Sequence, residues 1–248
     1  VGVVVGDCNV EVTSDEALKL AENNKPVQTP LIKTQQVIPT PATNLNNPDS
    51  YIILTGNVHG NYSYPDLLVG MNKSYHGKDW DQSKDVLNQN GEFMLTIRQF
   101  ADFLTLIKSG KAFDGRGKAV NKRKLVSILD EIVMVKNPWR AEWLDAKFDG
   151  NSILYHTITA NGLNQTKETL VDYLAQDKQI NMNNWLETAN YQGLPIPNVK
   201  SGKVYYWKPI DGRVARFGAY SDGAGLYCGR VPSGTYAQLG VRVARKKI

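Results

Sequence analysis

Several features are scarce in this chain of 248 residues. A helix that crosses a bilayer needs ~20 consecutive, mostly apolar residues, and no such run occurs, so membrane insertion through a helix is not expected. The opening VGVVVG is short and lacks the basic flank of a secretory leader, so no signal peptide is expected there. Cysteine is nearly absent: Cys8 and Cys228 are too few for a disulfide framework and lack the Cys-x-x-Cys spacing of zinc and redox sites. Histidine is equally sparse, with His59, His76 and His156 far apart in sequence. A histidine-pair metal site or a Ser/His/Asp triad has little to build from, and neither a metal nor a cofactor is expected.

What is present is the composition of a globular protein, 42% hydrophobic and 21% charged. The net charge of +5 permits an anionic partner without requiring one. Lys108, Lys111, Arg116, Lys118, Lys122, Arg123 and Lys124 lie close together with only Asp114 among them. No nucleic-acid recognition motif accompanies them, so they read as the solvated surface of a helix-loop-helix, and nucleic acid is not expected as a partner.

Three regions follow along the chain. Residues 1–50 contain TPLIKTQQVIPTPATNLNNPD, whose prolines forbid long helices, and are expected to form an extended arm or small β region. The run YIILTG opens the compact domain, over 51–248. In LTIRQFADFLTLIKSG, Thr96 and Gln99 have capping-box spacing, Leu95 and Phe100 can staple the entry, and Gly110 ends the helix. Its apolar stripe is Ile97, Phe100, Ala101, Leu104 and Ile107. A second helix is expected from Asn121 through Leu125, Ile128, Leu129 and Ile132, and a third near Thr166 to Ala175. Beyond Lys203 the pattern is β, in VYYWKP, RVARFGAY and LGVRVAR.

Motifs that could carry chemistry read as structure. GNVHG, Gly56 to Gly60, resembles the Gly-Asp-x-His-Gly metal loop of calcineurin-like phosphatases, but Asn57 stands where an anionic ligand is needed. FDGRGK has no third glycine at dinucleotide spacing and reads as a turn between helices. PWRAEWLDAKF groups Trp139, Trp143 and Phe148 with Arg140, Glu142 and Asp145, which reads as an aromatic cluster with an internal ion pair. The sequons at Asn61, Asn72 and Asn164 fix no compartment.

The stretch GAYSDGAGLYCGRVPSGTY, Gly218 to Tyr236, is the least patterned in the chain, yet LGVRV follows it directly. Its residues all belong to the set reachable from an asparagine codon by replacing adenines; Lys, Glu, Gln, Met and Trp fall outside that set and are absent here. Tyr220, Tyr227 and Tyr236 are separated by Ser, Gly and Asp, the composition of a paratope, where rigid rings give contact area and small residues adapt. Together with the helix LTIRQFADFL, the tryptophan passages WLDAKF and NNWLETANYQGLPIP, and the ending Leu239-Gly240-Val241-Arg242, the chain resembles the variable proteins of diversity-generating retroelements. The likeness spans roughly residues 90–248, with Val241 where an aromatic is usual.

That resemblance implies an α+β fold of the C-type lectin, formylglycine-generating-enzyme-like kind, with two main helices and antiparallel strands behind the N-terminal arm. It also implies a variable region near 211–242, display on a virion or cell surface, and a protein or glycan ligand. The expected binding face is Tyr220, Ser221, Asp222, Gly223, Gly225, Tyr227, Gly229, Val231, Ser233, Gly234 and Tyr236, exposed and dispensable for folding, with Tyr227 and Tyr236 as anchors. Phe217, Leu239 and Val241 are expected to point inward. The alternatives are a carbohydrate-binding lectin module or an enzyme relative. Calcium-dependent lectin signatures are absent, and no cysteine pair stands where the enzymes need one, so a binding protein rather than an enzyme is expected.

Overall fold

Strand-forming sequence dominates the computed structural model, which describes residues 46–159 and 162–247. The described residues belong to one unit, Ile38–Ile248. Cys8 and nearly all of the predicted arm lie outside them. A 3-10 turn, Pro48–Ser50, leads into β1 (Tyr51–Leu54), followed by β2 (Asn57–His59), β3 (Tyr62–Tyr64) and β4 (Leu67–Gly70). Next come α1 (Trp80–Gln89), β5 (Phe93–Met94), α2 (Ile97–Ser109) and α3 (Lys122–Val133). The long strands β6 (Arg140–Asp149), β7 (Ser152–Thr159) and β8 (Gly162–Thr169) precede β9 (Lys178–Ile180) and α4 (Met182–Thr188). The chain closes with β10 (Val204–Trp207), β11 (Val214–Tyr220), β12 (Gly223–Arg230), β13 (Leu239–Val241) and β14 (Val243–Lys246).

The strands form a four-stranded antiparallel sheet, β1-β4-β14-β5, and a larger sheet ordered β8-β7-β6-β11-β12-β10-β9 with β13 beside β6. Most pairs in the larger sheet are antiparallel, while β10 with β12 and β13 with β6 run parallel. β2 and β3 make a separate hairpin. This is an α+β protein, mostly β, with helices packed against sheets.

Local chemistry starts and stops α2 as the sequence predicts. The Thr96 side chain accepts from the Gln99 amide, the Gln99 side chain accepts from the Thr96 amide, and Gly110 closes the helix in the left-handed region at φ 71°. Ile97, Phe100, Ala101, Leu104 and Ile107 are all buried. Phe100 meets Phe217 at 5.2 Å between ring centres, and Trp185 of α4 stacks on the same Phe217 at 6.3 Å. α3 starts at Asn121, whose side chain accepts from the Arg123 amide, and buries Leu125, Ile128 and Ile132. All seven clustered basic residues are exposed, and Gly117 turns the loop between α2 and α3 at φ 82°.

Three expectations need correction. No helix occupies Thr166 to Ala175: Gly162–Thr169 is strand β8, with Tyr155 opposite Thr166 and Ile153 opposite Glu168, and the helix lies later at Met182–Thr188. Cross-strand pairing along β7 overrides the weak local preference. The described residues hold four α-helices, not two. From Arg140 onward PWRAEWLDAKF is strand β6, and it holds no internal ion pair because Arg140, Glu142 and Asp145 each find a partner outside it. Arg140 pairs with Glu131, Asp145 with His156, and Glu142 with Arg242.

The Glu142–Arg242 pair fixes how the C-terminus joins the sheet. Both side chains are almost wholly buried, and Arg242 Nε and Nη2 donate to the two carboxylate oxygens at 2.9 and 3.1 Å. Arg242 Nη1 donates to the carbonyls of Gly70 and Met71 at 2.9 and 2.8 Å. One guanidinium thus ties β6, the end of β4 and the β13–β14 junction together.

Candidate ligand-binding face

The stretch that looks patternless in one dimension has a two-dimensional pattern. Strand β11 sends Ala215, Phe217 and Ala219 into the core with Leu226, Ala224 and Cys228 of β12. The other parity, Arg216, Gly218 and Tyr220 with Gly223, Gly225, Tyr227 and Gly229, faces the opposite side. Register then builds rows across the strands. Trp143 of β6, Arg216 of β11, Tyr227 of β12 and Trp207 of β10 lie opposite one another in turn. The neighbouring row is Ala141, Gly218, Gly225 and Tyr205.

The small row exists because the rings cover it. A Cβ on Gly218 would sit 2.7 Å from the Tyr220 ring, and one on Gly225 would meet the Tyr205 carbonyl at 2.8 Å and the Tyr227 ring at 2.9 Å. Over these glycines Tyr220 and Tyr227 meet edge to face, 5.1 Å between centres. Trp139 stacks on Tyr220 at 5.1 Å and takes Tyr236 edge-on at 5.5 Å, while Trp207 stacks beside Tyr227 at 6.2 Å. Five rings therefore form one continuous aromatic surface across β10, β11, β12 and the segments entering β6 and β13.

Two guanidiniums interleave with the rings. Arg216 lies 5.4 to 5.8 Å from the centres of Tyr220, Trp139 and Trp143, and Arg230 lies 4.4 Å from Tyr227 and 5.8 Å from Tyr220. Each such contact contributes about 0.5–2 kcal/mol, more as water is removed. Arg216 is only 7% exposed. Its Nε and the Tyr220 hydroxyl are buried without hydrogen-bond partners. Burial lowers the pKa of Arg216 and raises that of Tyr220; it pushes Tyr227 up to about 12. At neutral pH the tyrosines stay protonated donors, and arginine stays charged.

The predicted residues divide in consequence. Tyr220, Gly223, Gly225, Tyr227 and Gly229 share the face, joined by Tyr236 and Gly234 through Trp139 and Trp143. Ser221 and Asp222 form the exposed tip of the β11–β12 hairpin, and Val231 and Ser233 are exposed in the following loop. That loop is pinned where the Trp80 amide donates to the Pro232 carbonyl and the Ala141 amide to the Gln238 carbonyl. Phe217, Leu239 and Val241 are buried as expected.

Expected exposure fails at Tyr227 and Gly225, which are buried under their aromatic neighbours, and Tyr220, Gly223, Gly229 and Gly234 are half-buried. Nor is the whole stretch an irregular loop, since Gly223–Arg230 is a strand. Gly223 and Gly225 cannot serve as freely variable positions: the first has φ 145°, and the second lies against backbone. The sequence does not mark Arg216, Arg230 or Trp207 for this face, and it assigns Trp139 only to the aromatic cluster of PWRAEWLDAKF. Period-2 counting in RVARFGAY would have placed Arg216 on the face of Tyr220.

Other polar clusters have different surroundings. Asp102 accepts from Tyr64 and Arg98 at 2.6 Å each and lies 2.8 Å from His59 Nε2, while Asp145 accepts from the His156 amide at 2.7 Å. These bonds tie β2, β3, β6 and β7 to the core. Cys228 is fully buried among apolar side chains, which drives its thiol pKa up. Among the described residues no three His, Cys, Asp or Glu side chains converge as metal ligands, and no helix is long and apolar enough to cross a membrane. No protein-family model, curated protein or solved structure matches the chain.

Proposed function

We propose that this chain is a ligand-binding protein of the kind diversified by retroelements, built on a C-type lectin-like fold and displayed on a virion or cell surface. Its binding face is the open side of β10–β11–β12 with the β11–β12 tip and the 231–238 loop. The observation that carries this reading is the gathering of Tyr220, Tyr227 and Tyr236 with Trp139, Trp207 and two arginines on the side of the sheet opposite the main core, where Trp139 and Tyr220 also pack against a second, smaller buried cluster around Trp80, Trp143, Leu239 and Val241. Tyr, Trp and Arg are the residues enriched at interface hot spots.

The structure supports a division of labour within the face. Tyr220 and Tyr227 form a fixed platform because they also cover glycines, whereas Ser221, Asp222, Val231, Ser233, Gly234 and Tyr236 can change without displacing backbone. Diversification by adenine replacement would act on this second set, where exposed substitutions usually alter stability by less than about 0.5 kcal/mol. A burial of Cys228 on the core side, away from the face, supports binding over cysteine-based catalysis.

The test is sequencing of the DNA flanking the coding region. A near-repeat of the final coding segment, differing at adenines and lying beside a reverse transcriptase gene, is the expected result. Its absence would remove the retroelement reading and leave a lectin-like binding module.

A further inference from the structure

The binding face carries two guanidiniums and one acid, Asp222 at the hairpin tip, whose charge acts on Tyr220 and Tyr227. Among the described residues neither the Arg216 nor the Arg230 guanidinium makes an ion pair or a side-chain hydrogen bond, although both flank the Tyr220 ring. The other buried arginines have anionic partners: Arg242 has a bidentate carboxylate and two carbonyls, and Arg98 has the Asp102 carboxylate, although its Nε too is unbonded. A cation set among rings with its Nε unbonded is costly in isolation, and an anion placed beside the two guanidiniums offsets that cost. Asp222, in the turn between β11 and β12, forms no ion pair with either arginine.

We propose that the ligand presents a carboxylate to this site, and that it is an Asp or Glu side chain on a partner protein, received by Arg230 at the rim with Arg216 and the Tyr220 hydroxyl behind. This rests on the binding-face reading and names its chemistry. A protein partner is favoured over a sugar because the floor is filled. Rings cover Gly218 and Gly225, and Ile210 covers Gly229, while Trp207 and Tyr236 stand about half exposed. Such a surface matches another protein's side chains, whereas small ligands take concave pockets.

The test uses the intact chain and needs no known ligand. A random-peptide display library is panned against the protein, and the selected peptides are synthesised and titrated calorimetrically. Selected sequences are expected to be rich in Asp or Glu beside apolar residues, to bind more weakly as salt rises, and to lose roughly tenfold or more affinity when the acid becomes Gln or Asn. Arg230→Gln protein should show the same loss with the acidic peptide and no further loss with the Gln peptide. The peptide substitution leaves the protein untouched, so misfolding cannot mimic it.

Failure to select any peptide, selection without acid enrichment, or full affinity in Arg230→Gln would overturn the proposal. Acid-free peptides whose binding is lost in Tyr236→Ser would overturn it while leaving the binding face standing. Trigalacturonate or sialyllactose binding more tightly than every peptide would transfer the carboxylate to an acidic glycan and overturn the protein partner.

Discussion

Replacing Arg242 with Met should be among the most damaging single changes in the described residues. The substitution strips a bidentate pair from Glu142 and two donors from the carbonyls of Gly70 and Met71, all in a site whose charged side chains are 2–3% exposed. The remaining carboxylate then has no route to water. Breaking a buried pair on one side costs about 3–5 kcal/mol, and for a domain of this size each kcal/mol moves Tm by roughly 2–4 °C. The expected fall is therefore about 6 to 20 °C, read by far-ultraviolet circular dichroism and confirmed by urea unfolding. Glu142→Leu should cost a similar amount, because it strands the guanidinium instead. The double variant should recover part of the loss, since no charge is left buried, but not all of it, since the two carbonyls lose their donors. Single losses below about 1 kcal/mol, or a double variant equal to their sum, would refute the view that this pair locks the C-terminal strands to β6.

Further outcomes follow from the same structure. Phe100→Ala should cost about 3–5 kcal/mol in chemical unfolding, because Phe100 is fully buried against Phe217 and the helix axis prevents collapse onto the cavity. Tyr227→Ser should destabilise by about 3 kcal/mol, whereas Tyr236→Ser should cost about 1 kcal/mol or less, since one ring is buried and the other half exposed; equal Tm values would contradict the platform. Gly225→Ala should cost about 1–3 kcal/mol by forcing β10 away from β12, while Gly234→Ala, whose new Cβ has ordinary contact distance, should be near neutral by thermal melt. Lys73, buried with its ammonium donating to the Ala141 carbonyl at 3.2 Å, has its pKa pushed down to about 8, chiefly by burial. A depressed lysine binds fewer protons folded than unfolded above that pH, so its contribution to stability is fullest at high pH and is lost as pH falls towards 8. Stability should accordingly rise from pH 8 to 9.5, and Lys73→Met should abolish the rise; a parallel profile in the variant would reject this origin.

Local signals carried much of the fold. Thr96, Gln99 and Gly110 announce α2 because a cap is chemistry between residues a few positions apart. The stripe from Ile97 to Ile107 identifies its buried face for the same reason. TKETL carries no strong period, so the helix expected from Thr166 has no local signal against it, and the strand conformation of β8 comes from pairing with β7. The aromatic face is partly legible in sequence: the spacing of the tyrosines among small residues marks them, but not the burial of Tyr227. Burial of Tyr227 depends on Trp207 and Arg230, and on the missing side chain at Gly225, whose place the Tyr227 ring and the Tyr205 backbone of β10 take.

The sequence by itself determined where the chain can turn, which helices start and stop, and which residue types concentrate near the C-terminus. These depend on backbone sterics and on hydrogen bonds between near neighbours, both written in consecutive residues. Tertiary structure alone decided which residues share a surface. Strand register set Trp143, Arg216, Tyr227 and Trp207 in one row although they come from four strands, and it sent Glu142 to Arg242 rather than to Arg140. Register is fixed by the sum of burial and pairing over whole strands, so a one-residue slip would turn this face into the core, and no local stretch encodes that choice.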